Sequence, residues 1–86
     1  MDLIPSGQAW ADYLSWQNDA QTLERIHVLL KDIQLHPFEG IGKPEPLQHA
    51  LAGFWSRRID GEHRIVYRPT PGGIQIAQLR YHYCAG

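Results

Sequence analysis

The sequence predicts an α+β fold, with two N-terminal helices packed on one face of a twisted antiparallel sheet and the other sheet face open. Three features point there. Apolar residues recur every three to four positions over the first third of the chain. A stretch holding three prolines and two glycines, residues 37–46, then interrupts that pattern. Beyond it, strand-like runs are separated by the turn signals Asp60-Gly61 and Thr70-Pro71-Gly72-Gly73.

In order along the chain, Met1 to Pro5 suits a short edge strand, since Pro5 removes a ladder donor at its end. Ser6 is placed to cap a first helix reaching about Asn18, with Ala9, Trp10, Tyr13, Leu14 and Gln17 at helical spacing. Asp19 can cap a second helix, where Leu23, Ile26, Leu30 and Ile33 form one apolar stripe. His36-Pro37 ends it, because the residue before a proline is pushed out of the helical region. Trp10, Tyr13, Trp16 and these aliphatics are assigned to the core. The loop that follows is stiffest at Glu45, which sits between Pro44 and Pro46. Leu47 to Leu51 suits one helical turn. Strands are expected at Phe54–Ile59, His63–Arg68 and Ile74–Tyr83.

A chain of 86 residues has room for one domain, with a core near the lower limit for independent stability, so a partner or a second copy would help it. Its 43% hydrophobic content is ordinary for a globular domain. No apolar run approaches the roughly 18 residues needed to span a bilayer. Met1-Asp2-Leu3-Ile4-Pro5 lacks the basic start and apolar stretch of a secretory signal, and the single cysteine, Cys84, permits no internal disulfide. The expectation is a cytoplasmic protein with no membrane partner. The net charge of -1 hides a polarity. Residues 1–35 carry Asp2, Asp12, Asp19, Glu24 and Asp32 against Arg25 and Lys31. Residues 36–86 carry Glu39, Glu45, Asp60 and Glu62 against Lys43, Arg57, Arg58, Arg64, Arg68 and Arg80. Such a chain can hold an anion on one face while the other stays solvated.

Metal and phosphate-loop chemistry find no support. His27, His36, His49, His63 and His82 show no ligand spacing, and Gly40-Ile41-Gly42-Lys43 is too short for a P-loop, so no metal site and no cofactor are expected. What remains is arginine and histidine concentrated on strands that should pair. A two-residue turn at Asp60-Gly61 sets Arg57 opposite Arg64 and Arg58 opposite His63; a three-residue turn sets Arg58 opposite Arg64. Either way like charges face each other, which costs a few tenths to about 1 kcal/mol. An external anion is one reason for that arrangement; arginines splayed to solvent or paired with Asp60 and Glu62 are the other. Strand alternation puts Arg80 and His82 on one face and Tyr81 and Tyr83 on the other. A carboxylate, arginines and a histidine together resemble the parts of metal-independent RNA cleavage. The carboxylate takes the 2′-OH proton, guanidinium groups stabilise the crowded phosphate, and the histidine or a tyrosine protonates the leaving oxygen.

The motifs Pro37-Phe38-Glu39-Gly40, Gly42-Lys43-Pro44-Glu45-Pro46-Leu47, Gly53-Phe54-Trp55-Ser56-Arg57-Arg58-Ile59, Glu62-His63-Arg64, Val66-Tyr67 and Arg80-Tyr81-His82-Tyr83 closely resemble those of the YoeB family. That family belongs to the RelE superfamily of type II toxins. The resemblance also takes in Leu3-Ile4, Trp10, Asp12-Tyr13-Leu14 and Trp16-Gln17, so it runs over nearly the whole chain. It implies a single domain over residues 1–83 with the RelE fold, like that of small microbial ribonucleases, and a short tail at 84–86. It further implies a ribosome-dependent mRNA endoribonuclease that cuts in the A site and inhibits translation. The implied partners are the ribosome and mRNA, a second copy of the chain, a YefM-like antitoxin, and operator DNA through that antitoxin. The family's general base falls on Glu45, its phosphate-stabilising arginine on Arg64, its general acid on His82 and its terminal tyrosine on Tyr83. RNA binding is assigned to Arg58, Arg57, Lys43 and Glu62. Two departures stand out. A family lysine is Gln48 here, and Cys84-Ala85-Gly86 follows the tyrosine at which relatives end. The rival reading is an interaction protein of the same fold that poisons gyrase or serves only as an antitoxin-bound co-repressor; such relatives generally lack this Glu, Arg, His, Tyr set.

Overall fold

Both helices start where a side chain can satisfy backbone N–H groups that have no partner within the helix. In the computed structural model, which describes residues 2–81, helix α1 spans Gly7–Ser15 and helix α2 spans Ala20–Leu35. The Ser6 hydroxyl accepts the Ala9 N–H at 3.0 Å, and Asp19 accepts the Thr22 N–H at 3.0 Å and its hydroxyl at 2.8 Å. These bonds hold the Asp19 carboxyl below the usual carboxylate range. The strands are β1 (Leu3–Pro5), β2 (Glu45–Pro46), β3 (Trp55–Arg58), β4 (Arg64–Thr70) and β5 (Gly73–Gln78), with a 3-10 turn at His49–Leu51. They form one sheet in the order β1-β5-β4-β3-β2.

The α+β class and the two-helix layer are as the sequence predicts, but the sheet is mixed. The β3–β4–β5 meander is antiparallel, whereas β1 pairs with β5 in parallel, Ile4 opposite Gln75. The direction of β1 follows from its exit. The Ser6 N–H bonds the Ile76 carbonyl at 2.9 Å and its hydroxyl bonds the Ala77 carbonyl at 2.8 Å, which turns the chain into α1 across β5.

Ile26, Leu29 and Ile33 of α2 pack against Ile65, Tyr67, Ile74 and Ile76, with Trp16, Ile59 and Leu79 in the same core. Trp10 departs from the expectation. It is 55% exposed and stacks on Tyr13 with ring centroids 5.7 Å apart. The residues that α1 turns inward are Ala9 and Asp12, with Trp16 at its end, so the stripe is rotated from the apolar one. Asp12 is tolerated inside because Gln8 and the Leu79 N–H bond its carboxylate, at 2.8 and 2.9 Å.

At the hairpin, Arg58 faces Arg64, the longer of the two registers weighed from sequence. The turn is closed by Asp60, whose Oδ1 accepts the N–H groups of Glu62 and His63 at 2.8 and 2.7 Å. The last strand ends at Gln78, short of the expected Tyr83. Face alternation therefore does not govern Arg80 and Tyr81. His82, Tyr83 and the Cys84-Ala85-Gly86 tail lie outside the described residues.

Candidate active site

Residues that face each other across a ladder share one side of the sheet. Glu45 faces Ser56, Ser56 faces Val66, and Arg58 faces Arg64. Glu45, Ser56, Arg58 and Arg64 therefore project from the face opposite the helices, where Ser56 is buried, Arg64 partly buried, and Glu45 and Arg58 exposed. Trp55 and Arg57 alternate with them and face the helices. Glu45 reaches this place because the stiff loop becomes β2, a strand that sequence reading left as loop. The bond from the Arg58 N–H to the Gly42 carbonyl, 2.7 Å, precedes it, and that from the Leu47 N–H to the Phe54 carbonyl, 2.9 Å, follows it. Pro46 is accommodated because β2 is an edge strand and needs no donor on its outer side. Lys43, with φ 52, takes the left-handed conformation between Gly42 and Pro44 and is exposed.

On this face Glu45 Oε1 lies 3.7 Å from Arg64 Nη1, and the same nitrogen donates to the Ser56 hydroxyl at 3.2 Å. Arg64 is thus oriented from two sides while remaining partly accessible. Arg58 is exposed directly across from it. Two guanidinium groups side by side, with a carboxylate at their edge, can hold one phosphate and accept one proton from a neighbouring hydroxyl.

Arg57, assigned to RNA binding from sequence, has a different place. Its side chain is fully buried. Nη1 bonds the Asp32 carboxylate at 2.6 Å and the Ile41 carbonyl at 2.8 Å. Nη2 bonds the carbonyls of His36 and Glu39, at 2.5 and 2.8 Å, and Nε donates to the Tyr67 hydroxyl at 3.0 Å. No donor face is left for an external phosphate. Arg57 is instead the clasp that ties loop 36–41 to α2 and the sheet. The Arg57 hydrogen bond holds the Asp32 carboxyl below its ordinary range, and burial pushes the Tyr67 hydroxyl up despite the Arg57 bond. Gly40 and Gly42 fit the clasp closely: a Cβ at Gly40 would lie 2.1 Å from Asp32 Oδ2, and one at Gly42 2.7 Å from Leu29 Cδ2.

The described chain end is held by side chains in place of ladder bonds. The Leu79 N–H bonds Asp12 and the Leu79 carbonyl accepts the Trp16 indole N–H at 3.0 Å. Arg80 lies 3.9 Å over the Trp16 ring and bonds the Ser15 hydroxyl at 3.1 Å. The Tyr81 N–H bonds Nδ1 of His63 at 3.1 Å. Glu62 is exposed, its Oε2 3.7 Å from His63 Nε2. Sequence reading singled out Glu45, Arg58 and Arg64 but left Glu45 in a loop, assigned the buried Arg57 to RNA binding, and gave no role to Ser56, Asp12 or His63. Alternation along Trp55-Ser56-Arg57-Arg58 was the available signal for Arg57, since Trp55 shares its side.

A two-helix layer on a mixed five-stranded sheet is the RelE-like fold. The chain belongs to the family of YoeB-like toxins of bacterial type II toxin–antitoxin systems, whose model matches residues 6–83. It is 55% identical over 84 residues to Toxin YoeB of Escherichia coli K12, covering 96% of this chain and 100% of that one. The YoeB–YefM complex of Staphylococcus aureus superimposes with TM-score 0.88 at 44% identity, covering 96% of this chain and 98% of the other. The YoeB dimer of the same organism gives TM-score 0.88 at 45% identity with the same coverage.

Proposed function

We propose that this toxin is a ribosome-dependent endoribonuclease that cuts mRNA in the A site and so inhibits translation. The observation that supports the reading most is the placement of Glu45, Arg58 and Arg64 on one open sheet face, with Glu45 3.7 Å from Arg64. Glu45 takes the proton of a ribose 2′-OH as the 2′-oxygen attacks the adjacent phosphorus. Arg64 and Arg58 stabilise the negative charge that gathers on the phosphoryl oxygens. The bond to the 5′-oxygen breaks and His82 supplies its proton, with Tyr83 as a further catalytic residue. The products are a 2′,3′-cyclic phosphate and a 5′-hydroxyl. No metal ion is needed for these steps, because base, cation and acid are all side chains. Lys43 and Glu62 are proposed to contact RNA at the margin. The low net charge leaves much of the affinity to the ribosome.

The proposed setting is the cytoplasm, and no helix of the described residues is long and apolar enough to cross a membrane. A YefM-like antitoxin is proposed to neutralise the toxin by covering the Arg58 and Arg64 face, and through that antitoxin the pair reaches operator DNA. A second copy is proposed as a further partner, as in the Staphylococcus aureus dimer.

The test is single-turnover cleavage of an mRNA on programmed ribosomes, with one 2′-deoxy nucleotide placed just upstream of the mapped cut. Cleavage should stop at that bond, and the downstream fragment from the unmodified message should carry a 5′-hydroxyl. Continued cutting, or a 5′-phosphate, would show the mechanism to be wrong. A parallel gyrase supercoiling assay should show no inhibition.

A further inference from the structure

Over residues 79–81 the chain has left the sheet, and His82 and Tyr83 follow in the sequence. A general acid acts only within hydrogen-bond reach, roughly 2.6–3.2 Å, of the leaving oxygen, so the residues leading up to it must be held in place. The described side chains do this in two steps. First, Leu79 is held at both its amide and its carbonyl by α1, through Asp12 and the Trp16 indole. Then the Tyr81 N–H, one residue before His82, is received by the His63 ring.

We propose that His63 is the positioning residue for Tyr81, which immediately precedes the proposed general acid in the sequence, and that it holds Tyr81 only while its ring is neutral. An amide N–H can only donate, so Nδ1 of His63 must present a lone pair and the ring proton must sit on Nε2. Nε2 faces Glu62 Oε2 at 3.7 Å. The ring is set edge-on against Trp16, centroids 5.0 Å apart and planes at 83°. Its backbone N–H is fixed by Asp60 at 2.7 Å, and its neighbour in the chain is Arg64. Ring, turn and phosphate-facing arginine thus form one short segment to which Tyr81 is tied.

Protonation of Nδ1 would turn the acceptor into a donor pointed at another donor, and the Tyr81 bond would be lost. The charged groups about the ring act in opposite senses. Glu62 and Asp60, from the same turn, are negative, while Arg80, stacked on the same Trp16, and Arg64, next in the chain, are positive. Histidine side chains as a class change charge between about pH 5 and 8. The hold is therefore present with the neutral ring and is lost when Nδ1 is protonated.

The inference rests on the proposed cleavage reaction for its consequence but not for its geometry, and the experiment separates the two. In the free toxin, the Tyr81 amide resonance and the carbon-bound ring protons of His63 are followed by NMR from pH 8 to pH 5. They should move together with one midpoint. In His63→Asn, whose Oδ1 stands where Nδ1 stood, the Tyr81 amide should keep its high-pH position throughout. A Tyr81 amide that ignores the His63 titration overturns the proposal. On programmed ribosomes at saturating concentration, His63→Asn should cleave within about threefold of wild type. His63→Phe keeps the ring without the acceptor; it should lose tenfold or more in the cleavage step with unchanged ribosome affinity, since a misplacement of about 1 Å can cost about 10²-fold. Wild-type rates for a folded His63→Phe, checked by its melting curve, also overturn the proposal. Should His63→Phe fail to fold, the wild-type and His63→Asn titrations decide. If no protein cleaves mRNA while the Tyr81 and His63 titrations coincide, the cleavage reading fails and the His63 hold stands.

Discussion

Arg57 and Arg58 are adjacent in the chain and carry the same side chain, yet each belongs to a different face of β3. On the helix side, Arg57 is fully buried and all its nitrogens are bonded to Asp32, Tyr67 and three loop carbonyls. On the open side, Arg58 is exposed, across from Arg64 and beside Glu45. The first arginine shapes the loop that delivers Glu45; the second stands where a substrate phosphate could reach it. A cluster of arginines in a sequence is thus not one feature. The pleat divides it into a part that holds the protein together and a part that is free to hold something else. Mutations on the two faces should separate accordingly, catalysis on one and stability on the other.

The largest separation is expected at Glu45. Glu45→Gln removes the proton acceptor of the proposed reaction but keeps an oxygen near Arg64, so the single-turnover cleavage rate should fall about 10²–10⁴-fold. Its melting temperature should stay close to that of the wild type, because the Glu45–Arg64 pair is half-exposed and such pairs contribute about 0–1 kcal/mol. A cleavage rate within twofold of wild type would remove Glu45 from the mechanism.

Next comes the pair itself. Arg57→Ala leaves the half-buried Asp32 and the carbonyls of His36, Glu39 and Ile41 without their shared donor, and losing such a network costs about 3 kcal/mol. For a domain near the lower size limit, that should unfold a large share of the protein at physiological temperature. Arg58→Ala should change unfolding free energy by no more than about 0.5 kcal/mol while weakening cleavage. Denaturant unfolding of the two variants checks this, and equal losses would abolish the distinction between the faces.

How far the sequence could have shown this division depends on the range of the interactions involved. Local ones were legible. Ser6 and Asp19 cap the helices as expected, and His36-Pro37 ends α2. The meander was legible because its turns join neighbours. The parallel seat of β1 against β5 was not, since residues some seventy positions apart meet there through Ser6. Nor was β2, whose two residues, Glu45 and Pro46, have no strand pattern of their own and pair with Ser56 and Trp55. In the site, Glu45, Arg58 and Arg64 could be read as chemistry from residue type. The burial of Arg57 depends on acceptors supplied by α2 and by a loop that no spacing rule describes.

A smaller effect separates the faces by pH. Asp32 has its carboxyl lowered by Arg57, so it contributes stability that is fully present above about pH 4, the ordinary unfolded value. That contribution is lost as pH falls through the lowered folded value. In the folded fraction of Arg57→Ala, the acid-side decline of stability should be shallower than in wild type, while Arg58→Ala should keep the wild-type slope. Urea unfolding at a series of pH values below 5 measures this, and identical slopes for Arg57→Ala and wild type would detach Asp32 from the clasp.

The smallest effect concerns the turn that joins the two arginine-bearing strands, and here the sign is informative. Asp60-Gly61 leaves a two- and a three-residue turn open from sequence, and the two-residue one would require Gly61 to adopt positive φ. In the structure Gly61 lies outside the left-handed region, and a Cβ added to it meets nothing within 4 Å. The turn is closed by Asp60, which accepts from Glu62 and His63 and whose carboxyl stays low because those bonds outweigh its burial. Gly61→Ala should therefore be neutral or stabilise by about 0.4–1 kcal/mol, through the lower entropy of the unfolded chain. The two-residue turn would instead penalise it by about 1–2 kcal/mol, the usual strain of a side chain in the left-handed region. Asp60→Ala should cost about 1 kcal/mol, as loss of a comparable side-chain cap does. If Gly61→Ala melts lower than wild type and Asp60→Ala does not, the hairpin has the shorter turn, and Arg64 faces Arg57 in place of Arg58. The buried arginine and the open one could not then occupy the faces described here.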